Sequence, residues 1–227
     1  MRFDLSLALT CALIAGVAGF TAGAADVWPA PQVAKVIKRA RPRTPEMNSN
    51  YKVLAPFQRG LPGAPVTMLG DSLTQWAPWH RLLSNPQRVA NLGIAGDSSA
   101  GVLARVKAGT PVGPTVFLMI GVNDRGAGIS ATETSANIER TVAALQPRRI
   151  YVQSVLPTRY VDQNAVSRQV NAASAEMCAR TKRCTYLNVA PALTEGKVIK
   201  PSMTVDGIHL TWEGYLAWAR QIAPLLN

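Results

Sequence analysis

Ser72, Gly93, Asn123, Asp206 and His209 are the residues of this chain whose types and spacing suit chemistry at a carbonyl. Acyl transfer needs a nucleophile, a base to take its proton, a group to hold the base, and donors for the oxyanion. A serine hydroxyl is scarcely ionised near neutrality, so Ser72 needs an imidazole beside it. Asp206 stands in an Asp-x-x-His turn with His209, where its carboxylate can reach the imidazole Nδ1 and set the tautomer. The backbone N–H groups of Ser72 and Gly93, with the side-chain amide of Asn123, are the candidate oxyanion hole. Taken singly, each residue has a plainer role. Asp71 or Ser72 caps a helix, Gly93 ends a strand, Asn123-Asp124 makes an Asx turn, and a lone histidine is usually a surface or turn residue. His80, following Trp76 and Trp79, is a rival base whose neighbours suggest packing.

The elements that must position these residues can be read from the apolar runs. Val66 to Leu69 is a short buried strand broken by the turn formers Gly70-Asp71-Ser72, and Leu73 to Leu83 follows with near-helical apolar spacing. Further strands are expected at 88–92, 115–120, 149–155 and 185–189, with helices at 99–107, 132–145, 164–180 and 212–226. Thr115 to Ile120 is the most continuous apolar run after the N-terminal segment and should be a central strand buried on both faces. Five strands alternating with helices call for a parallel sheet with helices on both faces. Such sheets bind ligands outside the carboxyl ends of their strands. Ser72, Gly93 and Asn123 each follow one of those ends, and His209 must reach the same edge from the far end of the chain.

Composition sets the outer limits. The chain has 227 residues, 48% hydrophobic and 16% charged, which fits one α/β domain and excludes a disordered chain. Met1-Arg2, the apolar run Leu5 to Phe20 and the small residues Thr21 to Ala25 read as a secretory signal peptide, residues 1–24, too short to favour a spanning helix. Residues 25–59 hold Lys35, Lys38, Arg39, Arg41 and Arg43 among several prolines, and part of the net charge of +11. They are expected to form a flexible basic arm ahead of a domain at 60–227. A solvated tether is the plainest role for it, and contact with an anionic envelope surface the functional one. No nucleic-acid partner is expected, because aromatics are not interleaved with the basic residues. Export would leave Cys178 and Cys184 in an oxidising compartment, where they either pair across a short loop, contributing roughly 2 kcal/mol, or stay as two thiols. With only two histidines in the chain and no metal-type cysteine spacing, a zinc site is not expected.

Gly70-Asp71-Ser72-Leu73, Gly93, Gly121-Val122-Asn123-Asp124 and Asp206-Gly207-Ile208-His209 together resemble the four signature blocks of the SGNH, or GDSL, hydrolases. The resemblance runs from about Val66 to Asn227. It implies a flavodoxin-like three-layer sandwich, a serine nucleophile at Ser72, a base at His209 held by Asp206, an oxyanion hole using Gly93 and Asn123, and no cofactor or metal. Asn91 to Ser98 resembles the platelet-activating-factor acetylhydrolase-like and bacterial acetylesterase branch. The loop Arg125 to Ile129 carries little bulk and offers no clear apolar wall, which favours short acyl groups. The expected activity is therefore hydrolysis of short-chain, chiefly acetyl, esters of a glycan or lipid by a periplasmic or secreted enzyme. A lysophospholipase or thioesterase for longer chains, an O-acyltransferase, and an envelope-binding module with a vestigial site are the rival readings. Leu156 to Tyr160 and Glu195 to Thr204 are the expected pocket walls.

Overall fold

The computed structural model describes residues 43–84, 88–146 and 148–226. The expected signal peptide and the arm as far as residue 42 lie outside the described residues. Within them, five strands build one sheet: β1 (Val66–Gly70), β2 (Val89–Gly93), β3 (Thr115–Met119), β4 (Arg149–Gln153) and β5 (Cys184–Leu187). All neighbours run parallel in the order β2-β1-β3-β4-β5, with Val66 opposite both Val89 and Thr115. This is the doubly wound order, and its direction reverses between β1 and β3.

Side-chain alternation divides the apolar residues between two cores. Met68, Phe117 and Tyr151 point to one face, where they meet Trp79 and Trp218. Leu69, Val116, Leu118, Ile150 and Val152 point to the other, against Val102, Ile138, Val142 and Val170. The first face is covered by α7 (Trp212–Ile222) and the short α3 (Trp79–Leu82). The second is covered by α4 (Ser99–Lys107), α5 (Ala131–Leu145) and α6 (Val161–Arg180). Helices thus lie on both faces, giving the three-layer α/β sandwich expected from the alternation. In α5, Ile138, Val142 and Leu145 recur at helical spacing and are buried, while the Ser130 hydroxyl caps the start by accepting from the Glu133 N–H. Cys178, near the end of α6, and Cys184, opening β5, are joined by a disulfide.

Three departures from expectation have local causes. The helix expected over Leu73–Leu83 is two short pieces, α2 (Ser72–Gln75) and α3, because Pro78 between them has no N–H to donate. A two-stranded hairpin, β6 (Thr194–Glu195) and β7 (Val198–Ile199), occupies the connection before the final helix. Most consequentially, the part of the expected flexible arm from residue 49 to 59 is a helix, α1 (Ser49–Arg59). Asn48 caps it, its Oδ1 accepting from the N–H groups of Asn50 and Tyr51. The ordered domain therefore begins before residue 60, and the arm boundary is corrected accordingly.

What holds α1 is polar. The Gln58 amide donates to the Gly93 carbonyl at 3.4 Å and its Oε1 accepts from Arg105 Nη1 at 3.1 Å. Arg105, on α4, is 1% exposed. Its Nε donates to Asp97 Oδ2 at 3.0 Å and its Nη2 to the Gly70 carbonyl at 3.0 Å. One guanidinium thus ties α1, the end of β1 and the loop after β2. Arg105→Met would keep the bulk but leave the Asp97 carboxylate buried and uncompensated, a change that typically costs about 3–5 kcal/mol. Urea unfolding at mildly alkaline pH should show that loss, and an unchanged midpoint would remove Arg105 from this role.

Candidate active site

The reversal of strand order opens a crevice at the carboxyl ends of β1 and β3, and both ends deliver site residues there. β1 ends at Gly70. Asp71 then caps α2, its Oδ1 accepting from the Leu73 N–H at 3.0 Å, which places Ser72 at the first helical position. β3 ends at Met119, and a turn in which the Asp124 N–H donates to the Gly121 carbonyl presents Asn123.

His209 arrives on a loop tied to itself. The Val205 N–H and the Thr204 hydroxyl both donate to the His209 carbonyl, and Thr204 Oγ1 accepts from the Gly207 N–H. Asp206 Oδ1 accepts from the backbone N–H groups of Ile208 and His209, fixing the turn that carries both catalytic side chains. Asp206 Oδ2 lies 2.6 Å from His209 Nδ1, and His209 Nε2 lies 3.0 Å from Ser72 Oγ. With Nδ1–H directed at the carboxylate, Nε2 is left to accept the serine proton. Burial tends to raise the Asp206 carboxyl, but the bonds from the His209 ring and from two backbone N–H groups outweigh it and hold the group down at about 2. Asp206 is therefore ionised across the neutral range. His80 is exposed on α3, and the imidazole at Ser72 is His209. Trp76 lies with its ring centroid 4.1 Å from that of His209 while remaining 52% exposed. Its position one helical turn after Ser72 was the available signal.

The oxyanion donors require a correction. Gly93 pairs in register with Gly70, and its N–H donates to Asn91 Oδ1 at 3.0 Å. A Cβ there would sit 2.2 Å from the Gln75 nitrogen and 2.8 Å from the Asp71 carbonyl oxygen. Gly93 is glycine so that α2 can pack on β2, and its N–H is already engaged. The glycine at the crevice is Gly96, at φ +74°, which lines a cavity of about 600 Å³ together with Asn123. Among the described residues no acceptor takes the Gly96 N–H. Asn123 donates one amide hydrogen to the Asp97 carbonyl at 2.9 Å, which fixes the amide and leaves its second hydrogen.

The cavity walls also differ from expectation. They come from Arg43 to Pro45 and Met47 to Ser49, from the Gly96–Ser98 turn, from Val122, Asn123 and Arg125 to Ala127, and from Gln163. Leu156 to Tyr160 and Glu195 to Thr204 contribute none of its lining; Pro157 and Gly196 instead line a separate cavity of about 340 Å³.

Three buried carboxylates surround the crevice floor. Asp124 accepts from the Ser99 N–H and hydroxyl and from the Thr134 hydroxyl, anchoring α4 and α5 to the turn that bears Asn123. Asp97 is raised to about 6 by burial, against the opposing pull of Arg105. Asp71 is raised to about 7 by burial, and the charges of Asp97 and Asp124 add to the effect; its Oδ2 and the nearby buried Tyr215 hydroxyl have no partner among the described residues. Among the described residues no group of histidines, cysteines and acids is arranged to hold a metal ion.

A nucleophile, base and orienting carboxylate in hydrogen-bonded sequence, at the switch point of a parallel sheet, define a serine hydrolase of the α/β class. The profile of the GDSL-like lipase/acylhydrolase family matches residues 68–217, and the chain belongs to that family. It is a carboxylic ester hydrolase. The fold is shared with solved structures of low identity. A protein described as a platelet activating factor from Streptococcus pneumonia has 23% identity and a TM-score of 0.71, covering 78% of this chain and 93% of its own. A GDSL-like lipase from Bacteroides thetaiotaomicron has 22% identity and a TM-score of 0.62, covering 78% and 97%. An acetylxylan esterase from Geobacillus stearothermophilus has 16% identity and a TM-score of 0.59, covering 73% and 96%. A search of curated proteins finds no match.

Because Asp71 holds its proton more tightly folded than unfolded, its contribution to stability is greatest below the ordinary carboxylate value near 4 and declines as pH rises to about 7. Asp71→Asn keeps the acceptor for Leu73 but cannot ionise. Urea midpoints should therefore fall less across that interval in the variant than in the wild type; equal slopes would show that Asp71 does not titrate there.

Proposed function

We propose that this enzyme removes short acyl groups, chiefly acetyl, from hydroxyl-rich alcohols such as glycans, through an acyl-enzyme at Ser72. The observation that carries the reading is the unbroken relay from Asp206 through His209 to Ser72. Ser72 Oγ attacks the ester carbonyl as His209 Nε2 takes its proton. The resulting oxyanion is met by the N–H groups of Ser72 and Gly96 and by the Asn123 amide. Collapse breaks the bond to the alcohol, which leaves with the proton from His209. Water then attacks the acyl-serine, again giving its proton to His209, and the acid departs as Ser72 recovers its hydrogen.

The substrate class follows from the cavity. Thr44, Asn48, Ser49, Ser98, Asn123 and Gln163 line it with hydrogen-bonding groups, and Arg43 and Arg125 add positive charge. Pro45, Met47, Val122 and Ala127 add apolar surface, and the amides, hydroxyls and arginines among them favour a hydroxyl-rich or acidic sugar on the alcohol side. The acetylxylan esterase among the structural neighbours is in keeping with that choice. A periplasmic or secreted location remains part of the proposal, supported by the N-terminal signal pattern and by the Cys178–Cys184 disulfide.

Ser72→Ala should abolish p-nitrophenol release from p-nitrophenyl acetate, and Asp206→Asn should lower kcat by about 10³ to 10⁴ through loss of the correct imidazole tautomer. His209→Ala should be far more damaging than His80→Ala. In a series of p-nitrophenyl esters, kcat/KM should be highest for acetate and fall with chain length. A preference for long chains would replace this reading with the lysophospholipase or thioesterase one, and transfer to an added sugar acceptor outpacing hydrolysis would replace it with the O-acyltransferase one.

A further inference from the structure

α1 and its cap lie before the segment matched by the family profile, yet they touch the oxyanion loop at one peptide. Ile94 to Asp97 forms a tight turn closed by the Asp97 N–H on the Ile94 carbonyl at 3.0 Å. Gly96 has positive φ and Ala95 does not, which makes it a type II turn. In such turns the central peptide has two orientations, related by a flip of about 180°, that separate type II from type I. Here that peptide joins Ala95 to Gly96, so its carbonyl belongs to Ala95 and its N–H to Gly96. The two groups point in opposite directions across a trans peptide. Whatever holds the carbonyl aims the N–H.

The Ala95 carbonyl is held by two side chains. Asn48 Nδ2 donates to it at 3.0 Å and Asn50 Nδ2 at 3.2 Å. The Asn48 amide has no freedom to flip, because its Oδ1 is already accepting from the N–H groups of Asn50 and Tyr51. On the other side, the Ala95 N–H is bound by Gln75 Oε1, at the end of the helix that carries Ser72. We propose that Asn48 and Asn50 are positioning residues for catalysis: by holding the Ala95 carbonyl they lock the Ala95–Gly96 peptide with the Gly96 N–H turned toward the oxyanion, and they polarise that donor. The inference rests on the reading of Gly96 as an oxyanion donor given above. Donation to a carbonyl also strengthens the N–H of the same peptide, because linked hydrogen bonds polarise one another.

The test separates the donor from the cap. Asp and Ser both cap helices well but have no amide to give to Ala95, so Asn48→Asp and Asn48→Ser should keep α1 folded. Ser also avoids placing a negative charge against the carbonyl. With p-nitrophenyl acetate as substrate, each single variant should lose kcat by about 10-fold. The double variants Asn48→Ser/Asn50→Ser and Asn48→Asp/Asn50→Asp should approach the roughly 10²-fold loss typical of removing one oxyanion donor. KM should stay within about twofold, since the ground-state carbonyl gains little from the hole. Inhibition by a trifluoromethyl ketone, whose adduct with Ser72 places an oxyanion in the hole, should weaken by the same factor as kcat/KM. Unfolding midpoints should remain at the wild-type value.

Wild-type kcat in the double variants overturns the proposal, as does a loss of kcat that tracks a fall in unfolding midpoint. A second measurement is independent of turnover. The ¹⁵N amide resonance of Gly96 should be single in the wild type and should shift or broaden in the double variants as the peptide samples both orientations. An unchanged Gly96 resonance overturns the proposal whatever the kinetics. A wild-type enzyme inert toward every ester, with a Gly96 resonance that still responds, would count against the esterase reading alone.

Discussion

The buried guanidinium of Arg105 is the constraint on which the architecture of the site depends. It lies beneath the strand ends and reaches three separately folded pieces: the Gly70 carbonyl just before the nucleophile turn, the Asp97 carboxylate in the oxyanion loop, and Gln58 on α1. Each is a polar group that the fold has withdrawn from water, and a buried acceptor without a donor is more costly than any net hydrogen bond is favourable. The planar five-donor fork of arginine can satisfy all of them from one position, which a lysine ammonium on its flexible stem would not do with the same geometry. Nucleophile, oxyanion loop and N-terminal helix are thereby referred to a single fixed point.

Around that point the electrostatics are lopsided. Asp71, Asp97 and Asp124 are all buried near the crevice, with Arg105 bonded directly to Asp97 and not to the other two. Asp124 is held by hydroxyl and backbone donors from Ser99 and Thr134, whereas Asp71 has its Leu73 bond and an unpartnered second oxygen. The consequence is a division of labour among acids of one chemical type. Asp206, lying half in solvent and bonded to three N–H groups, stays ionised and orients the base. Asp71, dry and poorly donated to, is pushed to about 7 and serves chiefly as the cap that starts the nucleophile helix. Environment, more than identity, decides which carboxylate takes part in the relay.

The N-terminal segment changes the lining of the cavity beside Asn123. Without Arg43 to Ser49 the cavity beside Asn123 would keep only the strand-end loops and Gln163 as its lining. With them it is a cavity bordered by two arginines and several amides and hydroxyls. The Arg43 N–H donates to the Ala127 carbonyl at 2.7 Å, fastening the start of this segment to the light loop after Asn123. The small residues of that loop thus make room for a wall supplied from elsewhere in the chain, in which Arg43, Thr44, Asn48 and Ser49 stand beside Pro45 and Met47. Much of that lining therefore comes from residues that precede the segment matched by the family profile.

Ser72, Asn123, Asp206 and His209 were legible in the sequence because each sits in a short local pattern whose chemistry does not depend on distant contacts: a capped strand-to-helix turn, an Asx turn, an Asp-x-x-His loop. The five parallel strands were legible for the same reason, since doubly buried strands must be apolar nearly throughout. Gly93 and Gly96 could not be told apart that way. Both follow the same strand within a few residues, and only the close approach of α2 to Gly93 and the positive φ of Gly96 assign them different work. α1 was not legible because Pro56 lies inside it, where proline ordinarily argues against a helix, and because the amides and guanidinium that hold it come from far away in sequence. Arg105, a charged residue on α4, is almost wholly buried. The amino-acid sequence by itself determined the sheet and the residues of the hydrogen-bonded relay, because apolar periodicity and turn chemistry act over a few residues. Only the tertiary structure decided which glycine keeps an unengaged N–H at the crevice and what walls the cavity, because those depend on where buried polar groups find their partners across the chain.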